Sequence, residues 1–123
     1  MGWFSSNKST GLPWKRLTSI EQLDEVLAQS SEKPILLFKH STRCSISSMA
    51  LSGFERSYDA PEEDMDIYYL DLIAHRDVSN AIAEKTGVVH QSPQVIVLKN
   101  NEITYTATHS GIDARAAIKS IRS

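Results

Sequence analysis

The chain contains one cysteine, Cys44, followed three residues later by Ser47 in the segment Arg43-Cys44-Ser45-Ile46-Ser47. At this point the apolar residues change from a strand-like run to helical spacing, which places the thiol at a predicted helix N-terminus. The free backbone N–H groups of a helix start favour a thiolate over a thiol. Because Ser47 stands where a dithiol oxidoreductase carries its second cysteine, an internal disulfide cannot form. We therefore expect Cys44 to be a nucleophile that reacts with a partner's sulfur.

Four neighbours of Cys44 are candidate site residues. Arg43 is an adjacent cation, Ser45 supplies a backbone N–H in the first helical turn, and the Ser47 hydroxyl can donate to the thiolate. His40, on the strand that leads into the turn, is a candidate proton carrier or second cation. The alternatives are a plain helix-surface serine for Ser47 and a satisfied strand-end histidine for His40. For Cys44 the alternative is a small buried residue, which its polar neighbours disfavour.

The elements that must position these residues follow from hydrophobic periodicity and from turn residues. The predicted strands cover about 14–17, 35–38, 67–72, 94–99 and 103–108, and the helices about 19–30, 46–58, 78–86 and 114–121. Asn100 and Asn101 tolerate positive φ and connect the last two strands as an antiparallel hairpin. Gly87 suits the left-handed residue after a helix.

This order predicts an α/β protein with a thioredoxin-like three-layer α/β/α sandwich, a central mixed sheet and a C-terminal antiparallel hairpin. We expect one domain over residues 12–123, preceded by a flexible N-terminal segment, residues 1–11. Gly2 with Ser6 loosely fits an N-myristoylation pattern, but a polar terminus without that function is the simpler interpretation.

The dipeptide Ser92-Pro93 falls just before the hairpin, where thioredoxin-like folds place a cis-proline that faces the reactive turn. A cis bond exposes the backbone of the preceding residue, here Ser92, to an incoming peptide or thiol ligand. The alternative is an ordinary proline at the start of a strand.

Composition excludes several function classes. The chain has 123 residues, a formal net charge of −2 and 41% hydrophobic residues. Scattered Lys and Arg argue against nucleic-acid binding, and no apolar run is long enough for a membrane span or a secretion signal. Four dispersed histidines with one cysteine argue against a metal site. We expect a cytoplasmic monomer.

The segments Phe38-Lys39-His40-Ser41-Thr42-Arg43-Cys44-Ser45-Ile46-Ser47 and Ser92-Pro93-Gln94-Val95 resemble the YtxJ family of monothiol bacilliredoxins. The resemblance implies a thioredoxin fold and the removal of bacillithiol from mixed disulfides on client proteins. It makes Cys44 the nucleophile, Ser47 the non-resolving position and Pro93 the ligand-facing proline. Ser45 departs from the family, which usually has proline there, and Phe38 occupies the position of the buried acid of dithiol thioredoxins.

The leading hypothesis is therefore a monothiol thiol–disulfide oxidoreductase with bacillithiol as thiol co-substrate, S-bacillithiolated proteins as partners, and no metal or organic cofactor. Two alternatives stay open. One is an iron–sulfur cluster carrier of the monothiol glutaredoxin type, in which Cys44 of two subunits holds the cluster with bound thiols. The other is a non-catalytic thioredoxin-fold module that binds an extended peptide beside Pro93.

Overall fold

The structure is a computed structural model that describes residues 12–122. Its elements follow in the order β1 (Lys15–Arg16), α1 (Ile20–Gln29), β2 (Ile35–His40), α2 (Ser45–Ser57), β3 (Asp66–Asp71), α3 (Arg76–Thr86), β4 (Gln94–Lys99), β5 (Glu102–Thr108) and α4 (Ala114–Lys119). A short 3-10 turn, His109–Gly111, separates β5 from α4. The sequence pattern predicts every one of these elements except the 3-10 turn.

The strands form one mixed sheet in the order β1-β3-β2-β4-β5. Strands β1, β3 and β2 are parallel, because helical crossovers connect them. Strand β4 pairs antiparallel with β2, and the β4–β5 hairpin completes the sheet. The predicted α/β sandwich with a C-terminal hairpin is thus confirmed, and β2 lies at the centre of the sheet.

Two apolar clusters cover the two faces of the sheet. One packs residues of α1 and α3 against Ile35 and Leu37 of β2. The other packs residues of α2 and α4 against Leu36 and Phe38. Because side chains alternate along a strand, Lys39 points to the α1/α3 face and His40 to the α2/α4 face.

Local backbone chemistry fixes the ends of the elements. Ser19 caps α1 by accepting a hydrogen bond from the Gln22 backbone N–H at 3.1 Å, as its capping position favours. Gly87 ends α3 with φ of 76°. Asn100 and Asn101 have φ of 54° and 65° and form the predicted hairpin turn.

Strand β2 is two residues longer than the predicted strand, which ends at Phe38. Lys39 and His40 continue the ladder with β3, and both side chains are buried, although their polarity marks a strand end in the sequence. The strand therefore carries two polar side chains into the interior next to the Cys44 turn.

The N-terminal segment 1–11, including Gly2 and Ser6, lies outside the described residues. Between residues 12 and 122, no helix has the length and apolar character required to cross a membrane.

Candidate active site

Cys44 lies beyond the carboxyl end of β2 and is the N-cap residue of α2. Its extended backbone, with φ of −114° and ψ of 119°, is typical of a residue that starts a helix. The Cys44 N–H donates to Ser41 O at 3.2 Å, and Cys44 O accepts from the Ser48 N–H at 3.0 Å. The partly exposed side chain makes no capping hydrogen bond with the helix. A partner's sulfur can therefore approach this thiol.

The Ser47 hydroxyl is fully buried and forms hydrogen bonds with other residues of the protein. Its Oγ accepts a hydrogen bond from the Ser41 N–H at 3.1 Å and lies 2.7 Å from His40 Nδ1. We assign the hydroxyl proton to the bond with His40, so that both hydrogen bonds are made at once. The sequence suggests a bond from this hydroxyl to the Cys44 sulfur, whereas the structure shows it bracing the Ser41–Cys44 turn.

His40 is buried against the same turn, and its ring packs 5.7 Å from the ring of Tyr69. Burial lowers the pKa of His40, although Asp71 and the bond with Ser47 oppose this shift. A neutral ring with its proton on Nε2 fits an Nδ1 that accepts from Ser47. His40 therefore supports the turn as a satisfied strand-end residue, and at neutral pH it is not a second cation.

The remaining predicted site residues lie around this turn. Arg43 and Ser45 are exposed, one on each side of Cys44. The Ser92–Pro93 bond is cis, as expected from the sequence, and Pro93 is buried. Since Gln94 pairs with Lys39 in the antiparallel β2–β4 register, Pro93, directly before β4, lies at the same end of the sheet as the Cys44 turn, which follows β2. The Ser92 Oγ is buried without a hydrogen-bond partner among the described residues.

A largely apolar groove of about 320 Å³ begins at Ile46, shortly after Cys44, and follows α2. Its walls are α2 from Ile46 to Phe54 and the 3-10 turn, with Ile46 59% exposed and Met49 73% exposed. The His109 N–H donates to Pro93 O at 3.1 Å and so joins this wall to the proline. The other lining residues are Ala50, Gly53, Phe54, Ser110 and Ile112. The groove offers apolar surface to a molecule whose sulfur reaches Cys44.

A second polar cluster, absent from the sequence prediction, lies on the opposite face of the sheet. Lys39 is fully buried, and its Nζ lies 3.1 Å from His90 Nδ1. The buried Ser79 Oγ of α3 lies 3.3 Å from the same nitrogen. Burial lowers the pKa of Lys39 to about 8. Burial, together with Lys39 and Arg76, also lowers the pKa of His90.

One sequence signal could have revealed this cluster. Lys39 directly follows the predicted strand 35–38, whose apolar run is typical of a strand buried on both faces, and Gln94 is the first residue of the predicted strand 94–99. A polar side chain that continues such a strand into the interior needs a partner there. Among residues 12–122, no group of three or more His, Cys, Asp or Glu is arranged to hold a metal ion.

A mixed sheet between two helical layers, with one cysteine at a helix start and a proline directly before the neighbouring strand, defines a thioredoxin-fold protein with a monothiol site. The chain belongs to the monothiol bacilliredoxin family. The model of that family, described as monothiol bacilliredoxin BrxC, matches residues 15–117.

Solved structures agree with this fold. A protein described as a candidate oxidoreductase with a thioredoxin fold is 34% identical, with a TM-score of 0.73 over 87% of this chain and 92% of the other. The thioredoxin Mala s 13 of Malassezia sympodialis is 21% identical, with a TM-score of 0.66 over 88% and 90% of the two chains. Thioredoxin f from spinach chloroplast is 16% identical, with a TM-score of 0.66 over 89% and 87%.

Proposed function

We propose that this protein is a monothiol thiol–disulfide oxidoreductase that removes a low-molecular-weight thiol, bacillithiol, from mixed disulfides on client proteins. The observation that carries the proposal is the position of Cys44. The thiol is partly exposed at the N-cap of α2, no second cysteine exists in the chain, and Pro93 directly precedes the adjacent strand β4 at the same end of the sheet. Membership of the monothiol bacilliredoxin family supports the choice of bacillithiol.

The reaction has two exchanges. The Cys44 thiolate attacks the bacillithiol sulfur of the mixed disulfide, the old S–S bond breaks, and the client cysteine leaves as a thiolate. A second bacillithiol thiolate then attacks the bacillithiol sulfur bound to Cys44 and releases the Cys44 thiolate. The two bacillithiol molecules leave joined as a disulfide, so the client sulfur is reduced to a thiolate while the sulfur of the second bacillithiol is oxidised to the disulfide level.

The surroundings of Cys44 suit these two exchange reactions. Its side chain makes no capping hydrogen bond with the helix, so no such bond must break before attack. Because Ser47 cannot resolve the mixed disulfide, the intermediate persists until a second small thiol arrives. We propose that the protein works as a cytoplasmic monomer without a metal or organic cofactor, since neither exchange needs one.

The test uses a synthetic peptide whose single cysteine is joined to bacillithiol. Mass spectrometry is expected to show the wild-type protein gaining one bacillithiol while the peptide becomes reduced. Cys44→Ser is expected to abolish both changes because serine is not ionised at neutral pH. Ser48→Ala changes an exposed neighbour on α2 and is the matched control.

Release of the peptide thiol by Cys44→Ser at the wild-type rate would overturn the proposal. A peptide joined to glutathione tests the choice of small thiol. Equal rates with both peptides would leave a monothiol oxidoreductase but remove the assignment of bacillithiol.

A further inference from the structure

The loop between α3 and β4, here called loop 88–93, is contacted by a buried lysine of the central strand β2. Lys39 Nζ reaches up from β2 to His90 Nδ1 at 3.1 Å. An ammonium group only donates, so Nδ1 must be unprotonated and the His90 proton must lie on Nε2. The Ser79 hydroxyl of α3 lies 3.3 Å from the same Nδ1, whose single lone pair it can share with Lys39. His90 is therefore contacted by two elements of the fold, β2 and α3.

Gln94 holds the same loop from the neighbouring strand. It is buried and stands directly opposite Lys39 in the β2–β4 register, so both side chains lie on one face of the sheet. Its Nε2 donates to Val89 O at 3.0 Å, and its Oε1 accepts from the Gln91 N–H at 3.4 Å. Lys39 and Gln94 thus bind three consecutive residues of loop 88–93.

This arrangement is costly if its only role is to stabilise the fold. Lys39 is 0% exposed, and its one hydrogen-bond contact in the described structure is with an imidazole. A buried ammonium without a carboxylate loses more hydration than one neutral acceptor restores. A methionine fills a similar volume without that cost. The lysine therefore needs another role, and the loop that it holds contains Ser92 and Pro93.

We propose that Lys39, acting through His90 and beside Gln94, is a positioning residue that fixes loop 88–93 against the Cys44 turn. The inference rests on the proposed function, in which the Ser92 backbone and Pro93 receive the disulfide of the client. A fixed loop lowers the ordering cost of binding that client. Lys39 acts on binding of the client and not on the sulfur of Cys44.

The first test measures transfer from the bacillithiol-peptide disulfide at several peptide concentrations. Lys39→Met is expected to raise the KM for the peptide about tenfold and change kcat less than twofold, because an unanchored loop must be ordered on binding. Lys39→Met is also expected to keep or raise the midpoint of urea unfolding. Lys119→Met, an exposed lysine on α4, is the control and is expected to behave as wild type.

His90 allows a second test on an exposed side chain, which avoids any folding defect of a core variant. His90→Ala removes the acceptor and is expected to raise KM as Lys39→Met does, and the double variant is expected to be no worse than either single variant. His90→Asn keeps an acceptor oxygen near the position of Nδ1 and is expected to restore a KM close to wild type.

Two further measurements distinguish failure of this inference from failure of the proposed function. Alkylation of Cys44 by iodoacetamide does not require an ordered loop 88–93, so Cys44 is expected to be alkylated at the same rate in Lys39→Met and in wild type. If wild type transfers the thiol and both Lys39→Met and His90→Ala match its KM, the positioning role is wrong. The role is also wrong if His90→Asn is as impaired as His90→Ala. If wild type itself accepts no bacillithiol, the proposed function fails first.

Discussion

At the level of single residues, β2 delivers two polar side chains to opposite faces of the sheet before the chain turns to Cys44. His40 pairs with Ser47 on the α2/α4 face, and Lys39 pairs with His90 on the α1/α3 face. Neither side chain is placed as a partner for the sulfur. Both support backbone that surrounds the thiol, one by bracing the Cys44 turn and the other by holding loop 88–93.

Because of Lys39, the free energy of unfolding is expected to change with pH in the alkaline range. Its pKa falls from 10.5 in the unfolded chain to about 8 in the folded protein. Between these values the unfolded chain binds more protons, so stability rises as pH increases. Wild type is expected to gain about 2 kcal/mol between pH 8 and 10 relative to Lys39→Met. Urea unfolding at both pH values, followed by circular dichroism, measures this difference.

Subtracting the Lys39→Met result cancels the tyrosines and the thiol, which titrate in both proteins. If the free energy of unfolding changed with pH in the same way in both proteins across this range, the lowered pKa of Lys39 would be contradicted.

Ser47 is expected to contribute more to stability than an ordinary helix serine. Ser47→Ala leaves the part-buried Ser41 N–H and the buried His40 Nδ1 without this partner. Leaving buried polar groups unpaired costs about 1–3 kcal/mol, which urea unfolding at pH 7 can detect. Ser48→Ala, at the next and exposed position, is expected to change stability by less than about 0.5 kcal/mol. Equal effects of the two variants would show that the buried network contributes nothing.

At the level of elements, α2 serves both the core and the site. Its inner side packs Phe54 into the aromatic cluster, with the Phe38 ring 5.5 Å away. Its outer side leaves Ile46 and Met49 exposed along the groove beside Cys44. The 3-10 turn forms the other wall and is tied to Pro93 by His109. One helix therefore orients the thiol and shapes the surface around it.

Gly53 and Gly87 differ in backbone conformation, so replacing each with alanine is expected to change the stability of the protein in opposite directions. A Cβ at Gly53 in α2 meets only Arg56 Nη2 at 3.9 Å, an ordinary contact. Gly53→Ala is therefore expected to raise stability by about 0.5–1 kcal/mol, because glycine is a poor residue inside a helix. Gly87, with φ of 76°, ends α3 in a left-handed conformation. Gly87→Ala is expected to lower stability by about 1 kcal/mol.

Thermal and urea unfolding of the two variants measure these changes. A loss of stability in Gly53→Ala would mean that the helix cannot accept the added methyl group. An unchanged Gly87→Ala would mean that α3 can end without a left-handed residue.

At the level of the whole molecule, the sheet separates two apolar clusters, and the site lies at one end of it. The central strands β2 and β4 are nearly or completely buried and carry the Cys44 turn and loop 88–93 at that end. A rigid sheet thus fixes the spacing between two segments that are far apart in sequence. Each of these two segments contacts a buried side chain of β2: the Cys44 turn contacts His40 through Ser47, and loop 88–93 contacts Lys39 through His90.

Much of this molecule follows from local sequence. The unbroken apolar run of β2, the helical spacing after Cys44, Gly87, and the Asn100-Asn101 turn all report backbone preferences that act within a few residues. They are sufficient to predict the order of the elements, the hairpin and the position of the thiol at a helix start.

The roles of Ser47, Lys39 and His90 depend on contacts across the fold. Lys39 and His90 are 51 residues apart, and only the pairing of β2 with β4 brings them together. Periodicity shows which side chains are buried, but which partner each buried polar group finds depends on the register and packing of distant segments.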